Sequence, residues 1–238
     1  MGASSGPDIV QDGLVFCIDF KNTKSYPGSG TPVTDLSHGT DASISGNPTF
    51  NSSGHLELDG VSDFVNGNAN ISNLGFSGDQ PFSILCWAKV DPTQPQASHG
   101  KVVVGFGTDD NSAPAGKRLA LFVFNNTHKL TIAWWDAATV YSDYTVTDTM
   151  THMACTYAGG GRTTSNSAIY VNGVSRTLSG GTSSTLDLDD MDWFYMGVDH
   201  YTNNQEMYGD LAIVQIYNRA LSASEVLQNY NAHKHRFT

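Results

Sequence analysis

The chain has 238 residues, with 12 Lys plus Arg against 23 Asp plus Glu, for a formal net charge of −11. A surface of that sign repels nucleic-acid phosphates and anionic membranes, so neither is expected as a partner. Only 15% of the residues are charged and 11% are aromatic, the balance of one β-rich domain built on strands and polar turns. No run approaches the roughly 18 apolar residues of a membrane span, and residues 1–6 lack the basic and apolar parts of a signal peptide, so synthesis in the cytosol is expected.

Residues 1–12 read as an N-terminal arm and 13–238 as the domain. Along 14–20, Leu14, Phe16, Ile18 and Phe20 alternate onto one apolar face and leave Cys17 and Asp19 on the other, which predicts a first strand. Residues 21–51 are crowded with Gly, Pro, Ser and Thr and read as turns. Further strands are predicted at 55–58, 64–65, 82–90, 101–106, 119–124, 129–135, 151–157, 168–171, 174–178, 194–198 and 208–217. Asn172-Gly173 has the chemistry of a type I′ hairpin turn. Ser222 and Glu225 have capping-box spacing, and Val226, Leu227 and Tyr230 share one helical face, which predicts a helix through about His233. Many short strands without a βαβ rhythm predict an all-β fold: a two-sheet antiparallel sandwich with one short C-terminal helix. Trp87 and His152, both mid-strand, are expected to be structural.

The cysteines, Cys17, Cys86 and Cys155, are odd in number and sit in apolar strand-like runs. They are expected to be free thiols filling gaps in the core, as suits a reducing compartment.

Several stretches taken in order resemble a known family: GLVFCID (13–19), SYPGSGT (25–31), TDLS (34–37), LDGVSDFV (58–65), FSILCWAK (82–89), HMACTY (152–157), YVNGV (170–174) and IYNRALSASEVLQNYNA (216–232). Together they resemble the laminin G/concanavalin A-like lectin-glucanase superfamily, in particular laminin-G-like domains of phage and marine bacterial proteins. The resemblance implies a jelly roll, usually non-catalytic, that binds glycans or protein surfaces. Where relatives carry Asp-Gly after the Thr-Tyr pair, this chain has Ala158-Gly159. A more distant likeness to pentraxins implies calcium held by Asp109, Asp110 and Asp199. It also makes Cys86 the first half of a disulfide whose matching partner position is Ala154, with Cys155 one residue along and turned to the opposite face.

Glucanases of the superfamily use Glu-x-Asp-x-x-Glu, which sets two carboxyl groups about 5–5.5 Å apart for retaining hydrolysis. Here Glu57 and Asp59 match but Ser62 replaces the second Glu, and neither a Gly-x-Ser-x-Gly elbow nor a metal-protease histidine spacing occurs, so no enzyme is expected. Sugar recognition calls for aromatic faces near loops, and Trp135, Tyr141, Tyr144 and Tyr201 are the candidates. The SYPGSGT stretch and the Asn-Arg-Ala-Leu-Ser segment look most like marine phage structural proteins. The expected function is therefore a non-catalytic lectin-like protein of a phage-like virion, attaching to surface glycans or neighbouring virion proteins. It would act as a homo-oligomer or in many copies, since single sugar sites bind weakly. A purely structural capsid or tail decoration protein is the first alternative, and a glycoside hydrolase the second.

Overall fold

The computed structural model describes residues 7–37, 39–94, 100–108, 118–134, 139–189, 191–199 and 205–237. Among them, two antiparallel sheets face each other across one core. The eight-stranded sheet runs Val174–Ser175, Ser167–Val171, Thr151–Tyr157, Phe82–Val90, Tyr208–Tyr217, Leu56–Asp59 and Thr49–Phe50, with Leu14–Asp19 also paired to Tyr208–Tyr217. The nine-stranded sheet runs Leu178–Gly180, Val140–Thr145, Lys129–Ala133, Leu119–Phe124, Gly100–Gly107, Trp193–Met196, Phe64–Asn66, Ala42–Ser45 and Pro32–Val33. This is the expected sandwich, with the C-terminal helix at Ala223–His233.

Strand alternation sends every second side chain into the core. Phe82 stands at its centre, with the rings of Tyr157, Phe106 and Trp134 at 5.5, 6.3 and 6.3 Å. Phe16, Ile18 and Phe20 also point inward. Leu14 does not follow them, because the pairing register slips between Leu14 and Phe16 and moves it to the outer cluster of Val10 and Tyr217.

That outer face of the eight-stranded sheet is covered by the helix and the residues after it. Trp87 is buried there, stacked on Phe237 at 4.4 Å and Tyr230 at 5.6 Å. The Ser222–Glu225 capping box is present, and Arg219 donates two hydrogen bonds to Glu225, which holds that carboxyl down at about 2. Val226, Asn229 and Ala232 form the buried face, whereas Leu227, expected on it, is 43% exposed beside the hairpin at Gly173. The arm is tied down from Val10 onward: its N–H donates to Asn229 Oδ1 and its carbonyl accepts from the Tyr217 hydroxyl.

Asn172 (φ 51°) and Gly173 (φ 77°) make the predicted hairpin turn, in the left-handed backbone region that these two residues tolerate. The strand expected at 174–178 is divided. Val174–Ser175 stays in the eight-stranded sheet and Leu178–Gly180 crosses to Val140–Thr145 in the other. Arg176, between them, pairs with Asp143 at 2.8 Å.

All three cysteines are free and buried. Burial pushes the Cys17 and Cys155 thiols up to about 12 and raises Cys86 as well. The reason expected from sequence is corrected. Cys86 faces Met153 in register and Cys155 faces Ile84, so both cysteines point into the same core, one diagonal step apart.

Candidate functional site

The first strand ends at Asp19, and the chain then folds into tight polar turns. Asn22 Oδ1 accepts from the Lys24 N–H, and the Ser25 hydroxyl, which donates to Thr34 O, accepts from the Asp19 N–H. These bonds hold Tyr26 against Phe20, with ring centroids 5.5 Å apart, and Phe50 meets Tyr26 edge-on at 5.2 Å. Phe20 and Tyr26 are buried, and Phe50 is half-buried. The Tyr26 hydroxyl donates to Gly30 O, and burial raises its ionisation above the ordinary tyrosine value, so it stays a neutral donor.

The hairpin after Phe50 closes the other wall. Asn51 Oδ1 accepts from the Ser53 and His55 N–H groups, and its amide donates to Glu57 at 2.9 Å. Gly54 adopts φ +81°, and a Cβ there would meet Lys21 Cγ at 2.8 Å, so the lysine stem lies directly over this glycine. The result is an open cleft of about 400 Å³ with an aromatic floor and a rim carrying Lys21, Thr23, Asn51 and Ser52. A half-exposed ring bordered by hydroxyl, amide and ammonium groups can stack on the apolar face of a ring-shaped polar ligand while hydrogen-bonding its edge.

Of the residues expected to bind, the described ones, Tyr141, Tyr144 and Asp199, do not line this cleft. Trp135, Tyr201, Asp109 and Asp110 fall outside the described residues. Tyr141 sits half-buried on the outer face of the nine-stranded sheet, 5.6 Å edge-on from Phe124. Tyr144, three residues along the same strand, points to the opposite side and packs on the core, with the Arg176 guanidinium 5.4 Å from its ring. Residues i and i+3 of a strand cannot share a face, so these two tyrosines do not form one surface. Asp199 is buried with the Arg118 guanidinium 4.0 Å away. Among the described residues, no group of three His, Cys, Asp or Glu side chains is placed to hold a metal ion.

Glu57 and Asp59 end the Leu56–Asp59 strand, and the chain turns after Asp59. Asp59 Oδ1 accepts the N–H groups of Val61, Ser62 and Asp63. Burial raises that carboxyl, but the three donors together with the Ser62 hydroxyl outweigh it and hold Asp59 below its ordinary value. Sequence reasoning missed the cleft, although Tyr26, Pro27 and Gly28 lie within the SYPGSGT stretch. An aromatic residue in a polar turn beside Lys21 was the available signal.

A sequence profile of the concanavalin A-like lectin/glucanases superfamily, in its laminin G form, matches residues 61–227. The chain belongs to this superfamily. No curated protein matches it in sequence, but solved structures do match it in shape. A Trypanosoma rangeli sialidase bound to sialic acid superposes with a TM-score of 0.68 at 18% identity, over 100% of this chain and 36% of the sialidase. Domain 4 of an extracellular arabinanase from Geobacillus stearothermophilus, in complex with arabinotriose, gives 0.62 at 17% identity, over 91% of this chain and 98% of that domain. The receptor-binding domain of a botulinum neurotoxin C/D mosaic serotype gives 0.63 at 17% identity, over 93% and 51%. At these identities the likeness is one of fold.

The chain of this superfamily member spans about a third of the sialidases' length. That finding corrects the expectation of a protein with no part in catalysis. Enzymes contain this sandwich as a portion of their chain, so the missing carboxylate partner at Ser62 does not argue against enzymatic activity.

Proposed function

We propose that this superfamily member binds carbohydrate, with a sugar ring seated on Phe50 in the cleft and its edge met by Lys21, Thr23 and Ser52. The observation that carries the reading is the half-buried Phe50 ring, met edge-on by Tyr26 and bordered by polar rim groups. The arabinanase domain, bound to arabinotriose, supports it as a structure of the same fold holding a sugar. The sialidase likeness favours a whole protein that acts on glycans as well as holding them. We read its setting as the surface of a phage-like particle assembled in a reducing cytosol, a setting that suits three buried free thiols. Presentation in many copies would supply the avidity a single site lacks.

Retention on a glycan array, with the protein multimerised, tests the reading. Phe50→Ala is expected to remove retention and Tyr141→Ala to leave it unchanged. The reverse pattern would move the site to the outer face of the nine-stranded sheet, and no retention by the unmodified protein would end the proposal.

Calcium held by Asp109, Asp110 and Asp199 is a separate proposal, and a cation there would have to displace Arg118 from the Asp199 carboxylate. Binding to the folded state alone would raise the melting midpoint with calcium over a chelator by several degrees. Equal midpoints would remove this proposal.

A further inference from the structure

On a chain of net charge −11, the cleft wall carries one ammonium, Lys21, and no Asp or Glu side chain among the described residues. The carboxylates near it are engaged elsewhere. Asp19, two residues before Lys21, receives a two-pronged pair from Arg236, at 2.7 Å to each oxygen. Glu57 reaches the cleft only through the Asn51 amide, which donates to it. Lys21 itself has no salt-bridge partner among the described residues; it is exposed, its stem is seated over Gly54, and it lines the same cleft as Phe50.

An ammonium left unpaired beside an apolar floor attracts a complementary charge on whatever occupies that floor, most strongly at low salt. We propose that the cleft prefers sugars bearing an anionic substituent, a carboxylate or a sulfate, which Lys21 receives while the sugar ring lies on Phe50. This preference rests on the reading of the cleft as a sugar site. The net negative charge then acts as a filter: extended polyanions are repelled at long range, and a single substituent is accepted at one point.

Calorimetric titration of the full chain with trigalacturonate, a sulfated galactotriose and neutral galactotriose tests the proposal. The carboxylated or the sulfated probe is expected to bind at least tenfold more tightly than the neutral one in 20 mM salt, and whichever is preferred names the substituent. The advantage should shrink toward unity in 0.5 M salt. Lys21→Gln, at an exposed position, is expected to erase the preference, and Lys21→Glu to invert it. Equal binding of charged and neutral probes, or a preference that survives Lys21→Gln, would overturn the inference while leaving sugar binding intact. No binding of any probe would instead overturn the sugar reading on which it rests.

Discussion

Acidification from pH 7.5 to pH 5 is expected to cost the fold about 4 kcal/mol, through two buried histidines, one under the C-terminal helix and one at its end. His152, on the Thr151–Tyr157 strand, packs against Trp87 and Tyr230, and neither of its ring nitrogens has a hydrogen-bond partner. Burial, and then the neighbouring His233, hold it down at about 3. His233 is held at about 4, first by burial and then by Arg236, with Asp19 opposing. Both are neutral in the fold and take up protons near 6.5 once exposed. Their stabilising contribution is therefore complete above pH 6.5 and is lost as the pH falls toward the folded values. By pH 5 the loss is about 2 kcal/mol per histidine. Glu206 and Asp63, both raised by burial, shift in the opposite sense at the lower end of this range. Urea midpoints at pH 7.5, 6 and 5 measure the effect, and His152→Phe should flatten the curve. A flat profile in the unmodified protein would show that protons reach these rings without opening the fold.

Replacing Asp35 by Ala is expected to destabilise the protein by about 3–5 kcal/mol. This buried carboxylate accepts from the Cys17 N–H at 2.8 Å, the Ser37 N–H at 2.9 Å, the Ser37 hydroxyl at 2.8 Å and the Gly39 N–H at 2.8 Å. It thereby fixes the TDLS segment onto the first strand. Alanine would leave the Cys17 N–H buried without a partner, and each such loss costs about 1–3 kcal/mol. Asn keeps one acceptor but turns an amide toward these donors, so Asp35→Asn should fall between alanine and the unmodified chain. Urea denaturation gives both values. A loss below about 1 kcal/mol for Asp35→Ala would mean that water substitutes for the carboxylate.

Strands with strong alternation or continuous apolar runs were legible in the sequence to the residue: Phe82–Val90, Leu119–Phe124, Thr151–Tyr157 and Tyr208–Tyr217. So were the hairpin at Asn172-Gly173 and the capping box, because each depends on local chemistry alone. Val140–Thr145 was not, since its polar residues look like a loop until the sheet supplies partners on both sides. The sheet change after Ser175 was hidden for the same reason: local pattern does not say which neighbour a strand will find. The cleft was least visible, because its floor joins Phe20, Tyr26 and Phe50 from three segments that meet only in the folded chain.

The Tyr208–Tyr217 strand pairs with Leu14–Asp19, Leu56–Asp59 and Phe82–Val90, all made long before it. On the ribosome, at 5–20 residues per second, the Phe82–Val90 strand waits roughly 6 to 25 seconds after its own synthesis for that partner. Throughout this interval the edges of the incomplete sheet are open to pairing with other nascent chains. Expression yield should therefore depend on chaperone supply and low temperature more steeply than the stability of the finished fold would suggest.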